Sequence, residues 1–234
     1  MWDVIVVGAG PAGCTAAILF VREGLRVLLL DKSSAPPPKV CGEYLSPGCL
    51  RILDGIGALE SVREAGARPL HGMTIHTAAG RTLQAHYPHG GNLADLPVHG
   101  LAIRRSVLDP LLLDVAVKRG AEFEPNFQVS DLVWEDGRVV GVRGRHRGQV
   151  TALRGRLTVG ADGRNSVLAR RIGSVTRHRW LDKVALVGYV TGAERAEDVG
   201  EIFLGHDRYG ILNPIRPDLT NVGLVINRRD FTPT

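Results

Sequence analysis

Residues 2–13 read WDVIVVGAGPAG. WDVIVVG is an apolar, β-branched run ending on glycine, the pattern of a strand buried on both faces of a parallel sheet. Gly8, Gly10 and Gly13 fit G-x-G-x-x-G, with Pro11 and Ala12 between the last two. In such a loop the first glycine permits the tight turn. The second lets a pyrophosphate approach the backbone, and the third lets helix and strand pack closely. Residues 12–23, AGCTAAILFVRE, predict a helix packed through small residues and stopped at Gly24. Its free N-terminal N–H groups favour an anion. RVLLLD (26–31) predicts a second buried strand. It ends on Asp31, 18 residues after Gly13, where a carboxylate binds ribose hydroxyls or simply caps the strand. Together these elements predict dinucleotide binding without saying which dinucleotide, because the fingerprint reads only the adenosine diphosphate half.

An ordinary NAD-binding fold would continue βαβαβ, and this sequence reads otherwise. APPPK (35–39) is a rigid break, and residues 47–66 predict two short helices split near Gly55 and Gly57. GMTIHTAAGRTLQAHY (72–87) carries a hairpin signal. SVLDPLLLDVAVKRG (106–120) has helical periodicity; Pro110 belongs in a first turn, which predicts a start near Leu108 or Asp109. Residues 128–145 predict a hairpin turning at Glu-Asp-Gly-Arg, and residues 149–161 predict either a strand pair or one bent strand. From about residue 183 the runs KVALVGYV, EIFLGH, YGILNPI and NVGLVIN are spaced as an antiparallel sheet without helices between them.

The 234 residues suffice for one large domain or two small ones. A net charge of +5 is concentrated in VRGRHRG (142–148) and ARRIGSVTRHRW (169–180). Such clusters read as a solvated surface or as an attraction for an anionic partner, a nucleotide phosphate or a lipid surface, so peripheral membrane contact stays open. No aromatic residues interleave with them, which argues against nucleic acid. Cys14, Cys41 and Cys49 have neither a disulfide framework nor metal-ligand spacing, and the eight histidines show no ligand spacing, so no metal is expected. The N-terminus lacks a basic leader and no run approaches 18 apolar residues, so the expected location is cytoplasmic.

Five stretches in register, VIVVGAGPAG, LLLDK, KVCGEYLSPGCLRIL, IRRSVLDPLLLDVA and VGADGRNS, resemble the para-hydroxybenzoate-hydroxylase-type FAD-dependent oxidoreductases. The Cys-Gly-Glu segment looks most like the geranylgeranyl reductase-related branch. The resemblance implies an α/β fold: a Rossmann-like FAD-binding domain with a β-meander over 1–70 and 99–182, plus an antiparallel-sheet substrate domain over 71–98 and 183–234. It implies that Gly8, Gly10, Pro11, Ala12 and Gly13 line the FAD pyrophosphate, that Asp31 holds the adenosine ribose, and that Lys32 sits beside the adenine. Arg105, four residues before Asp109, would reach the cofactor; the alternative is a surface charge, and Arg104 is its confusable neighbour. Val129 would meet the adenine through its backbone, or be strand core only. Asp162 and Gly163 match the Asp-Gly fingerprint toward the ribityl-pyrophosphate region, and Asp162 also suits a turn or helix cap. Cys41 and Gly42 lie in the loop that runs along the flavin in that family. Cys41 faces substrate there, as the sole catalytic candidate, or is a small buried hydrophobe. Cys14 and Cys49 are expected in the core.

The family's third motif, Gly-Asp-Ala with a glycine-rich continuation, has no counterpart in the sequence. The resemblance therefore implies the N-terminal part of a longer enzyme and an incomplete substrate sheet. The implied activity is reduction or hydroxylation of an apolar isoprenoid, quinone or aromatic substrate with NAD(P)H as transient electron donor. The alternatives are a monooxygenase specifically, or an inactive nucleotide-binding fragment. Flavin-dependent halogenases of the group carry Trp-x-Trp-x-Ile-Pro, and the comparable YGILNP (209–214) has neither tryptophan, so halogenation ranks lower.

Overall fold

The computed structural model describes residues 1–87, 98–176, 178, 181–193 and 198–232. Residues 88–97 of the expected 71–98 segment, and Arg177, Arg179 and Trp180 of the second basic cluster, lie outside the described residues. The chain begins β1 (Trp2–Val7), α1 (Pro11–Arg22), β2 (Val27–Leu30), β3 (Tyr44–Leu45), α2 (Pro47–Gly55), α3 (Leu59–Glu64) and β4 (Arg68–Leu70). It continues β5 (Gly72–Thr77), β6 (Thr82–His86), β7 (Gly100–Ala102), α4 (Arg105–Lys118), β8 (Glu122–Glu124), β9 (Gln128–Glu135), β10 (Arg138–His146) and β11 (Gln149–Gly160). The last elements are α5 (Val167–Arg171), β12 (Lys183–Thr191), β13 (Val199–Leu204), β14 (Tyr209–Arg216) and β15 (Leu219–Asn227). They fall into two compact units, Met1–Pro38 with Ser106–Arg177 and Lys39–Arg105 with His178–Thr234. Residues 39–70 and 99–105 thus group with the strands after residue 183, whereas the sequence reading set them in the nucleotide-binding part.

The first unit holds a six-stranded sheet in the order β8-β2-β1-β11-β10-β9. β1 pairs in parallel with β2 and with the second half of β11, while the first half of β11 runs antiparallel to β10. Of the two readings left open for residues 149–161, one long strand shared between two pairings is the one realised. Asp136 and Gly137 turn β9 into β10 with φ of 47° and 74°, the left-handed pair that a two-residue hairpin requires. Ile5, Val7, Leu28, Leu30, Phe127, Val129, Leu132, Val142 and Leu168 form its core. Burying each large aliphatic among them contributes about 1.5–3 kcal/mol.

Two expectations are corrected here. β8 pairs in parallel with β2, so the βαβ pattern does continue after the insertion. With only three residues and the sequence Glu-Phe-Glu, it carries no periodic signal. Helix α4 starts at Arg105, so Pro110 lies inside it rather than in the first turn. The additional turn has a distant partner: the Arg105 N–H donates to the Glu43 carboxylate at 2.9 Å, satisfying a helix-terminal donor with a charge that suits that end.

In the second unit a six-stranded sheet runs β12-β15-β14-β13-β5-β6, with a three-stranded sheet β3-β7-β4 beside it. The four late strands all form, but the sheet is mixed rather than antiparallel throughout, because β13 pairs with β5 in parallel. The parallel join places the hairpin of residues 72–86 at the sheet edge. Leu70, Ala102 and Ile215, with Tyr44 against them, pack the small sheet onto β14.

Candidate functional site

The nucleotide loop shows a division of labour among its glycines. Gly8 has φ +105°, its N–H donates to the Leu30 carbonyl at 2.7 Å, and a Cβ there would overlap the Ala161 carbonyl. At Gly13 a Cβ would overlap the Gly8 carbonyl. At Gly10 a Cβ would meet nothing within 4 Å. So the outer glycines serve packing, and the middle one faces open space at the head of α1. That helix begins with Pro11, has no side-chain cap and no acidic residue in its first turn, so its N–H groups stay available to an anion.

Asp31 braces the protein itself. Its Oδ2 accepts the Ala9 N–H at 2.9 Å and its Oδ1 accepts the Ser33 N–H at 2.8 Å. Lys32 beside it is exposed. Cys14, fully buried, donates its thiol to the Ala9 carbonyl at 3.3 Å. Burial, with the nearby Asp109 and Asp31 carboxylates adding to it, pushes that thiol up to about 12. Cys14 is thus the core residue expected, and also a brace for the loop.

Asp162 follows β11, next to Gly8: a Cβ on Gly8 would come within 2.8 Å of the Asp162 nitrogen. Its Oδ2 accepts the Val167 N–H at 2.6 Å, and Ser166 caps the same short helix through the Ala169 N–H at 3.0 Å. Gly163 takes φ +79°. Asp162 Oδ1 is buried and has no partner. Of the two roles weighed for this side chain, the helix-capping one is present, and an oxygen remains for a ligand. Val129 lies in the core at 7% exposure. It also lines a cavity of about 410 Å³ with Gln128, Ser130, Val167, Arg170 and Arg171.

In the second unit the loop of Cys41, Gly42 and Glu43 is tied down on the sheet. Asn213 on β14 donates its Nδ2 to the Gly42 carbonyl at 2.6 Å. Asn221 on β15 donates to the Cys41 carbonyl at 3.2 Å and to Glu43 Oε2 at 3.3 Å. Glu43 Oε1 accepts the Tyr189 hydroxyl at 2.7 Å, besides the Arg105 N–H. The Glu43 N–H donates to Cys41 Sγ at 3.3 Å, and the Glu43 carbonyl accepts the Ile103 N–H at 3.1 Å. Glu43 is only 3% exposed and has φ 56°, a left-handed conformation costing a glutamate about 1 kcal/mol. The Arg104 guanidinium lies over the Tyr189 ring, 4.8 Å from its centroid. Burial raises the Tyr189 phenol, and the Glu43 carboxylate raises it further against the opposing pull of Arg104.

The structure therefore brings Gly8, Gly10, Pro11, Ala12, Gly13, Asp31, Asp162 and Gly163 together in one unit, and Cys41, Gly42 and Arg105 in the other. The contact shown for Arg105 is through its backbone, while its neighbour Arg104 makes the aromatic contact. Sequence reasoning missed Glu43, Asn213, Asn221 and Tyr189 as a group. A signal existed: asparagines within ILNPI and LTNVGL, mid-strand in otherwise apolar runs, mark polar side chains aimed at a partner. Among the described residues no group of three or more His, Cys, Asp or Glu could hold a metal ion.

The open Gly10, the free helix terminus and the unpartnered Asp162 oxygen fit a dinucleotide with a further hydroxyl-bearing chain, as FAD has. Comparison with known proteins agrees. The family described as FAD binding domain matches residues 1–217. Digeranylgeranylglycerophospholipid reductase 2 of Methanopyrus kandleri is 31% identical over 238 residues, covering 99% of this chain and 56% of that protein. The 6-methylpretetramide 4-monooxygenase of Streptomyces rimosus is 34% identical over 177 residues, covering 73% of this chain and 40% of its own length. The myxobacterial chondrochloren halogenase CndH superposes with a TM-score of 0.86 at 26% identity, over 98% of this chain and 53% of its own. The chain spans about half the length of the curated relatives it matches. Its glycine cradle and its match over residues 1–217 place it in the FAD binding domain family, with the fold of the FAD-dependent oxidoreductases.

Proposed function

We propose that this chain carries the FAD site of an oxidoreductase that reduces an apolar, isoprenoid-type substrate with electrons from NAD(P)H. The observation that carries the cofactor half of this reading is the buried Asp162 Oδ1 without a partner, beside a loop whose middle glycine is open. Bound FAD would supply the hydride and electron chemistry, while the protein supplies orientation and field. The Gly10 backbone and the first N–H groups of α1 would hold the pyrophosphate. The remaining lone pairs of Asp31 would take ribose hydroxyls, with Lys32 and the Val129 backbone toward the adenine. Asp162 Oδ1 would accept a ribityl hydroxyl and Gly163 would leave it room. Arg105 would approach the cofactor through its side chain, and Cys41 with Gly42 would lie along the flavin.

Support for the reductase half comes from the similarity to the Methanopyrus kandleri reductase, which extends over nearly the whole chain. A monooxygenase is the second reading, favoured by the Streptomyces rimosus relative. Halogenation is disfavoured by Ile211 and Asn213 in YGILNP, where Asn213 is committed to holding Gly42. Three unpaired cysteines fit a reducing cytoplasmic compartment, and no helix among the described residues is long and apolar enough to cross a membrane. The test is a flavin absorbance spectrum with NAD(P)H titrated in, with and without oxygen. Binding with oxygen-independent bleaching and substrate reduction supports the reductase. Oxygen-dependent NAD(P)H consumption with a hydroxylated product supports the monooxygenase. No flavin absorbance after FAD addition leaves the inactive-fragment reading.

A further inference from the structure

The densest concentration of local cost in the described residues surrounds Glu43. A charged side chain is buried there at 3% exposure, on a backbone of φ 56° that a glycine would adopt without strain. The two asparagines that hold its loop, Asn213 on the Gly42 carbonyl and Asn221 on the Cys41 carbonyl and the Glu43 carboxylate, are imperfectly satisfied, since their Oδ1 atoms are buried without partners. Arg104 Nε, in the side chain that lies over the Tyr189 ring, is in the same condition. Buried polar groups are ordinarily paired, and strain of this kind persists where the surroundings over-determine it.

We propose that Glu43 is a positioning residue: its carboxylate sets the path of the Cys41–Gly42 loop and the placement of the Cys41 sulfur. Its oxygens accept from three separate elements: the first N–H of α4, the Tyr189 hydroxyl on β12 and the Asn221 amide on β15. With the side chain anchored, the Glu43 N–H is aimed at Cys41 Sγ at 3.3 Å. The carbonyls of Cys41 and Gly42 turn toward the two asparagines. Every one of these contacts lies within the second unit and needs no cofactor. Shape alone would be met by glycine at position 43, and the backbone conformation favours it. What the glutamate side chain binds offsets that preference. Tyr189 touches both, donating its hydroxyl to the Glu43 carboxylate while the Arg104 guanidinium lies over its ring. The inference rests on the FAD reading only in taking this loop as the one beside the flavin.

The test follows alkylation of Cys41 by iodoacetamide, peptide by peptide, in the chain without FAD, with Cys49 as internal reference. The quantity compared is the plateau rate at high pH, which reports access to the sulfur rather than its ionisation. Glu43→Gln keeps the shape but offers an amide nitrogen to donors. The Cys41 plateau is expected to rise about tenfold, the scale of losing one charge-assisted hydrogen bond, with Cys49 unchanged. Glu43→Gly relieves the backbone and should raise it as much. Tyr189→Phe, at a partly exposed site, should raise it by about two- to fivefold, the effect of one hydrogen bond. If Glu43→Gln misfolds, Tyr189→Phe carries the test by itself. Cys41 plateaus within about twofold of the parent in every variant that keeps its circular dichroism and urea midpoint would overturn the proposal. A Cys41 that FAD fails to protect in the unmodified chain would count against the cofactor reading and leave this one standing.

Discussion

Two alanine substitutions three residues apart in the same loop, at Gly10 and Gly13, should have different consequences. At Gly13 a methyl group runs into the Gly8 carbonyl. The obstacle is backbone, held by the Gly8 N–H on Leu30 and by the neighbouring Ala161 N–H on Val7 at 2.7 Å, so it cannot rotate aside. Overpacking typically costs 1–3 kcal/mol, and a rigid obstacle puts Gly13→Ala at about 3 kcal/mol. That is a large share of a stability of about 5–15 kcal/mol. At Gly10 the same methyl meets nothing within 4 Å, and φ −79°, ψ −177° suits alanine. Losing glycine at a helix N-cap and gaining a stiffer unfolded chain oppose each other, leaving about 1 kcal/mol or less. The Gly10 methyl instead occupies the approach of the pyrophosphate, so FAD affinity should fall at least about tenfold, or about 1.4 kcal/mol. Urea unfolding without FAD measures the first effect and quenching of FAD fluorescence the second. A Gly10→Ala protein as unstable as Gly13→Ala, or one binding FAD within about twofold of the parent, would refute the assignment of roles.

Asp162→Asn keeps an oxygen for the Val167 N–H but presents an amide nitrogen where Oδ1 now lies unpartnered; FAD binding should weaken about tenfold with the urea midpoint nearly unmoved. Cys14, buried and with its thiol pushed up to about 12, should resist alkylation at pH 9 until urea unfolds the chain, as peptide mapping would show. Tyr189 is raised above the ordinary value of 10.0, so above that pH the unfolded chain loses the phenolic proton before the native one does. Its contribution is full below pH 10 and disappears as the pH rises through the native value. Urea midpoints taken upward from pH 10 should fall less steeply in Tyr189→Phe, although Tyr87, raised by its own burial, keeps some slope in both.

What was legible in the sequence was whatever repeats or sits close together along the chain. β1, α1 and β2 were read from apolar runs and three glycines, and Asp136-Gly137 announced its hairpin, because each depends on neighbours within a few residues. β8 was invisible because its three residues gain strand character only by pairing with β2. The start of α4 was misplaced because the group that satisfies Arg105 comes from 62 residues away. Cys41 attracted notice as a reactive atom type, whereas the glutamate two positions later gathers the contacts. Its donors Tyr189 and Asn221 are separated from it by 146 and 178 positions, and no spacing rule reaches that far.

The two places where local stability is given up differ in kind. Around Asp162 one oxygen is unpartnered while the backbone relations of Gly8, Gly13 and Ala161 are tightly packed, as a cradle built for a fixed, common ligand requires. Around Glu43 the cost is spread over a strained backbone, two asparagine oxygens on β14 and β15 and the Arg104 nitrogen just before α4. The chain is similar to proteins named as a reductase, a monooxygenase and a halogenase, and a shared fold does not choose among such chemistries. Asn213 stands in YGILNP on a strand of the sheet, and its amide is spent on the Gly42 carbonyl. Replacing Asn213 with leucine would remove that tie and one unpartnered oxygen together. FAD affinity governed by the cradle should then change by about twofold or less, whereas the Cys41 plateau should rise about fivefold, the scale of one lost hydrogen bond. A fall in FAD affinity as large as the rise in the Cys41 plateau would refute the reading that the cradle governs cofactor affinity.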